Sequence, residues 1–203
     1  PSLTWGRRPP SSSASSSQPQ FKATAFPSPA ALRLEQTPMH ELKKVFLRGV
    51  TPDMDALVGW EFRGINHLPL NALPLAQAVG IKKFVKGFYL AEDGRVMGYN
   101  RPVGRNALDG RWHGADKRFG FYEVHEVDAP SRDKRYLHAV LLNYGRGGNK
   151  QLDPTSVLRD YLVQLGDDLY LGKAYAAFGP ARVPSNFFIL ERHAVGLTDY
   201  AQR

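Results

Sequence analysis

The chain contains no cysteine among its 203 residues. Disulfides, thiolate metal sites and cysteine nucleophiles are therefore excluded, while the redox compartment stays open. Long apolar runs are also missing. The longest candidate, Leu68 to Val79, is interrupted by Pro69, Asn71 and Pro74, and a membrane helix needs roughly 18 consecutive apolar residues. The folded part is thus expected not to span a membrane. The six histidines, at 40, 67, 113, 125, 138 and 193, include no i, i+4 pair, so no helical metal motif is present. No metal or cofactor is expected. Acidic residues are absent from positions 1–34, and Ser11 to Ser17 is serine except for Ala14.

Other features are abundant. Hydrophobic residues make up 42% of the chain and aromatics 11%, enough to build a core over the remaining length. Net charge is +8; residues 1–40 hold Arg7, Arg8, Lys22 and Arg33 against Glu35 alone, which is +3 and leaves +5 for the rest. Such a surface suits an acidic partner, anionic lipid or nucleic acid, or is simply a generic basic surface. Nucleic acid is the less favoured partner, because no RNA-binding motif accompanies the charge.

Pro, Ser, Gln and Arg dominate the beginning of the chain. That composition buries too little apolar area to offset backbone ordering. It predicts a low-complexity, extended arm over residues 1–37 and a folded domain over 38–203, so deleting residues 1–34 should cost little stability. A Ser-rich, Arg-containing, acid-poor stretch also describes organelle transit peptides. The arm reads either as an ordinary tail or as the continuation of a mitochondrial or plastid presequence, with a cytoplasmic location as the alternative.

From Thr37 the pattern becomes structured. Thr37-Pro38 with Glu41 predicts a helix N-cap, a first-turn proline and an acidic first turn; Leu42, Val45 and Phe46 share a face, and Gly49 ends the helix. Leu68 to Val79 suggests another short helix. Eight strands are then predicted: 58–66, 81–91, 95–100, 118–127, 135–144, 157–165, 169–178 and 186–193, separated by turn-forming residues. Gly166 is expected to supply the positive φ of a II′ hairpin turn before Leu169. Hairpin-linked strands in this number suit a closed, mainly antiparallel barrel. Gly172, Ala174 and Ala176 share one face of the seventh strand, where small residues permit a bend or leave room beside the wall. In the fourth strand Phe119, Phe121 and Val127 share a face with Glu123 and His125, which implies a partly polar interior or a partly covered exterior.

Several motifs invite chemistry. Gly145-Arg146-Gly147-Gly148-Asn149-Lys150 offers glycine amides and cations, but lacks the spacing and the Gly-Lys-Ser/Thr ending of a phosphate loop. Arg111-Trp112-His113-Gly114 with Asp116 has the beginnings of a general base, without a nucleophile tied to it. Glu123 and His125 would need further ligands to hold a metal. Phe84, Phe88 and Tyr89 read as core. No catalytic constellation emerges.

The segment Ala56-Leu57-Val58-Gly59-Trp60-Glu61-Phe62-Arg63-Gly64 resembles the first strand of the bacterial lipocalin-like GXWXG family of unknown function. Residues 70–88, 157–172 and Phe187 to Arg192 are similar to its later strands, so the likeness runs in order over about residues 40–193. One departure is that the tryptophan directly follows Gly59 instead of standing one residue later. The resemblance implies a lipocalin-like barrel with short N-terminal helices. It further implies that Gly59, Trp60, Gly64 and Arg192 form a structural signature, Arg192 lying against Trp60 at the closed end.

The sequence therefore favours a non-catalytic, lipocalin-like binding module serving as an accessory subunit in a larger protein assembly, with an organelle as the favoured compartment. It would dock through its arm, with Arg7, Arg8, Lys22, Arg33, Arg146 and Lys150 as candidate contacts with other protein subunits. The alternative is a free carrier of a small hydrophobic ligand or lipid. An enzyme using His113 or His125 in a barrel pocket is a third reading.

Overall fold

The computed structural model describes residues 24–68, 82–104, 107–150 and 152–197. Two helices, α1 (Pro29–Gln36) and α2 (Met39–Arg48), precede eight strands. These are β1 (Trp60–His67), β2 (Lys83–Leu90), β3 (Val96–Pro102), β4 (Phe119–Glu126), β5 (Val140–Asn143), β6 (Leu158–Gly166), β7 (Leu169–Phe178) and β8 (Ala181–Val195). Each pairs antiparallel with its neighbour in sequence, and β8 pairs back onto β1 to close the barrel. Closure leaves neither sheet edge exposed.

The expected strands are all found, with shifts at their ends. Residues 135–139 lie outside β5, because aromatic packing outweighs their strand propensity. Tyr136 sits edge-on to Phe46 of α2, with ring centroids 5.0 Å apart, and its hydroxyl meets that of Tyr175 at 2.8 Å. β8 begins five residues early, since Gly179 takes φ +55 and turns the chain directly from Phe178 to Ala181. Gly166 is not among the positive-φ glycines, contrary to the II′ expectation. There the turn is held from outside: Asp168 accepts the Arg192 backbone N–H at 2.9 Å and its guanidinium Nε at 2.6 Å. The helix expected within Leu68 to Val79 falls largely on residues 69–81, outside the described residues.

Alternation along the strands separates two cores. Facing inward, Phe62, Phe88, Tyr122, Leu142, Leu162, Tyr170 and Leu190 fill one half of the barrel. Phe62 meets both Phe88 and Tyr170 edge-on at 5.3 Å, the T-shaped arrangement that aromatic quadrupoles favour. Facing outward, Ile65, Val85, Leu141, Val163 and Ile189 are covered by Ala31 of α1 and by Leu42 and Phe46 of α2. From Phe121 onward the mixed face of β4 is likewise a covered exterior, where Phe121 packs against Tyr89, Met97, Tyr99 and Leu197, while Phe119, set before the positive-φ Gly120, stays exposed.

The folded unit starts earlier than residue 38. Ser28 caps α1, accepting the Ala31 N–H at 3.2 Å, and Pro29 occupies the first helical position. Arg63 on the outer face of β1 has no solvent exposure. Its Nη2 donates to the Thr24 carbonyl at 2.8 Å and hydroxyl at 2.6 Å, and its Nε faces Glu191 at 3.2 Å. Glu191 in turn accepts the Ser28 N–H, and Lys82 pairs with Glu35 at 2.7 Å. Composition suggested an extended arm through residue 37, but contacts with the barrel supply the ordering that residues 24–36 lack by themselves. Thr37 accordingly closes α1 instead of capping α2, whose N-cap is Pro38.

One end of the barrel is plugged. Gly59, at φ +80, donates its N–H to Phe88 O and accepts from Gly196 N–H, both at 2.9 Å. Trp60 follows and packs on the inward core beside the buried Leu57. Arg192 lies over the Trp60 ring, its guanidinium carbon 4.6 Å from the centroid. The β1–β8 register shifts between Glu61 and Phe62, leaving His193 as the extra residue on β8. At Gly64 a Cβ would fall 2.2 Å from the Phe84 ring, so only glycine lets that ring lie against the wall. Trp60→Ala removes the plug and is expected to lower stability by about 3 kcal/mol in urea denaturation. A loss under about 1 kcal/mol, the ordinary surface range, would place Trp60 outside the core.

Candidate ligand-binding site in the open half of the barrel

Strand β2 alternates Phe84, Lys86 and Phe88 onto the inward face, which carries a lysine into the barrel. Lys86 is 2% exposed. Three neighbours surround its ammonium. It donates to Asn100 Oδ1 of β3 at 3.1 Å, makes a short hydrogen bond to the Tyr144 hydroxyl just after β5, and faces Asp160 Oδ2 of β6 at 3.4 Å. Tyr144 passes its own proton toward Asp160 Oδ2 at 3.1 Å. Asn100 Nδ2 donates to Gly120 O at 2.8 Å. The rings of Tyr122 and Phe188 flank the ammonium at 4.5 and 5.3 Å, adding cation–π attraction.

Burial dominates the acid–base behaviour of this cluster. It lowers Lys86 to about 8, with the adjacent Asp160 carboxylate opposing the shift. It raises Asp160, opposed by Lys86, and pushes the Tyr144 phenol well above its ordinary value. The sign of the lysine shift yields a test. Between pH 8 and the ordinary lysine value of 10.5, the folded chain sheds the Lys86 proton while the unfolded chain keeps it. The unfolded state then binds more protons, so stability contributed by this group rises with pH. Lys83, also lowered to about 8 chiefly by burial, adds to the same slope. The expected outcome is therefore a difference: wild-type stability minus that of Lys86→Met grows from pH 8 to 10 in urea titrations. A constant difference would mean that Lys86 titrates as an exposed lysine does.

Beside the cluster lies a cavity of about 450 Å³. Its wall includes Phe84, Ala174 and Phe188, and its rim carries Asn66, Thr155 and Asn186. These residues come from the end of the barrel opposite Trp60. The small-residue face of β7 explains the space. Gly172 lets the Phe188 ring lie flat, since a Cβ there would fall 2.0 Å from it, and Ala174 leaves the volume beyond. One end of the barrel is thus packed and plugged, and the other is hollow with a polar floor.

The motifs singled out in the sequence lie elsewhere. His113 and Asp116 are exposed on the loop before β4, while Trp112 is buried and donates to Phe84 O at 3.0 Å. Glu123 is occupied by Arg95 at 2.7 Å and Arg146 at 3.3 Å. His125 turns its Nδ1 to the neighbouring Glu126 carbonyl. Among the described residues no three His, Asp or Glu side chains converge as metal ligands. The Gly145–Lys150 loop is pinned: Asn149 bonds both the N–H and the C=O of Phe121, and a Cβ at Gly147 would fall 1.8 Å from Phe121 O. Gly145 and Gly147 serve close packing, while Gly148 takes φ +70 with nothing near it. Of the candidate partner contacts, Arg146 is engaged by Glu123, Arg33 and Lys150 are exposed, and Arg7, Arg8 and Lys22 lie outside the described residues. Lys86, Asn100, Tyr144 and Asp160 were not singled out by sequence reasoning.

No helix among the described residues is long and apolar enough to cross a membrane. No family model matches the chain, and no curated protein is similar to it in sequence. Among solved structures, a protein from Thermomonospora curvata known from its crystal structure is similar with a TM-score of 0.48 and 17% identity. The match covers 80% of this chain and 99% of that one.

Proposed function

We propose that this protein is a non-catalytic binding module that holds a small, largely apolar ligand in the open half of its barrel. The observation that carries the reading is the cavity of about 450 Å³ ending on the Lys86–Asp160 floor. It lies within the roughly 300–1,000 Å³ range of small-molecule sites, and it combines apolar walls with a few convergent polar groups as such sites do. Of the two roles weighed from sequence, this favours the carrier. Arg192 stacked on Trp60 supports the resemblance to the lipocalin-like GXWXG family. Docking as an accessory subunit in an organellar assembly rests on the basic composition of residues 1–23, because residues 24–36 are engaged with the chain's own barrel.

The test is fluorescence titration with N-phenyl-1-naphthylamine, a neutral apolar probe that brightens on leaving water. The wild-type chain should bind it saturably. Ala174→Phe, which fills the cavity, should abolish binding while circular dichroism and melting show a folded barrel. Equal binding by the two folded proteins would remove the cavity from the account.

A further inference from the structure

The polar floor is fully committed except at one atom. Lys86 has three ammonium protons and three acceptors around it: Asn100 Oδ1, the Tyr144 hydroxyl and Asp160 Oδ2. Tyr144 spends its proton on the same Asp160 Oδ2, and Asn100 spends an amide proton on Gly120 O. Asp160 Oδ1 alone in this cluster is buried without a hydrogen-bond partner. Asp160 is 4% exposed, yet it lines the cavity. A buried carboxylate oxygen left unmade is costly, and a donor reaching it gains a charge-assisted hydrogen bond.

This arrangement selects among head groups. A carboxylate or phosphate would find Lys86 already held by two hydrogen bonds and its ion pair, and would face the carboxylate of Asp160. An alkylammonium would satisfy Asp160 Oδ1 but would bring a second cation beside Lys86. The Lys86–Asp160 pair is already self-neutralised, and Lys83, which also lines the cavity, directs its ammonium to the Ala107 and Arg111 carbonyls, so no net charge is demanded of the ligand. From this geometry we infer that the ligand is a neutral amphipath bearing a hydroxyl or amide N–H, which it donates to Asp160 Oδ1 while its apolar body lies along Ala174 and Phe188. The inference rests on the binding role proposed above and deepens it by naming the ligand class.

The experiment is isothermal calorimetry of the full chain at pH 7 with 1-octanol, octyl methyl ether and sodium octanoate. The alcohol should bind at least about tenfold more tightly than the ether, which keeps the oxygen but lacks the donor; a hydrogen bond to a charged group accounts for that ratio or more. Octanoate should bind more weakly than the alcohol. In the double variant Lys86→Met/Asp160→Leu, whose apolar pair leaves no unpaired buried charge, the alcohol's advantage over the ether should disappear. Equal binding of alcohol and ether to the wild-type chain would overturn the donor inference and leave the binding role standing. Tighter binding of octanoate than of octanol would overturn the inference in favour of an anionic ligand. Binding of none of the three would overturn both.

Discussion

Lys86→Met should destabilise the barrel by about 3–5 kcal/mol, far more than the size of the side chain suggests. Methionine is similar in length and apolar, so the variant leaves little cavity. What it leaves is Asp160, 4% exposed, without the ammonium that faced its Oδ2 at 3.4 Å. Tyr144 would still donate to that oxygen, but a single neutral donor does not offset burial of a carboxylate. Asp160 is expected to take up a proton to relieve the cost, so the loss should shrink as pH falls. The double variant Lys86→Met/Asp160→Leu should recover most of the stability, because replacing both members of a buried pair by apolar groups is often neutral. Chemical denaturation of the two single variants and the double variant closes the cycle. Additive losses would show that the two groups do not interact in the folded chain.

The second large effect concerns the N-terminal segment. A chain beginning at Thr37 should be less stable than one beginning at Thr24 by about 3–5 kcal/mol, judged from charge-assisted hydrogen bonds worth about 1.5–3 kcal/mol each. The longer chain retains Thr24, which takes two hydrogen bonds from Arg63, and Ser28, which donates to Glu191. It also retains Ala31, the α1 residue fully buried against the barrel, and the Glu35 partner of Lys82. Urea denaturation followed by far-ultraviolet circular dichroism measures the difference. Equal stabilities would return the segment to the role of a dispensable tail, as its composition alone implied.

The barrel was legible in the sequence because strand signals are local. Period-two alternation in Leu169 to Phe178 and turn residues such as Glu92-Asp93-Gly94 mark strands regardless of what they pack against. The register of the small residues on β7 was visible too, and Ala174 does line the cavity. The attachment of residues 24–36 was not legible. Arg63 and Glu191 are 128 positions apart in the chain, and only closure of β1 on β8 places them where Thr24 and Ser28 can meet them. The polar floor left a fainter trace. Lys86 stands between Phe84 and Phe88 on an apolar face, and Asp160 stands between Leu158 and Leu162. A charged residue at such a position is costly unless paired, which is a signal in itself. Its partner, on a strand four places along the barrel, comes from the fold and not from spacing.

The central claim is that a ligand occupies the hollow half of the barrel, and intermolecular nuclear Overhauser effects measure it most directly. With isotopically labelled protein and unlabelled 1-octanol, cross-peaks are expected from the octyl chain to the Ala174 methyl and the Phe188 ring. None are expected to Trp60 or Leu57 at the plugged end, or to Phe46 on the covered outer face. Cross-peaks confined to Phe46 and its neighbours, or absent at Ala174 under saturating alcohol, would contradict the account.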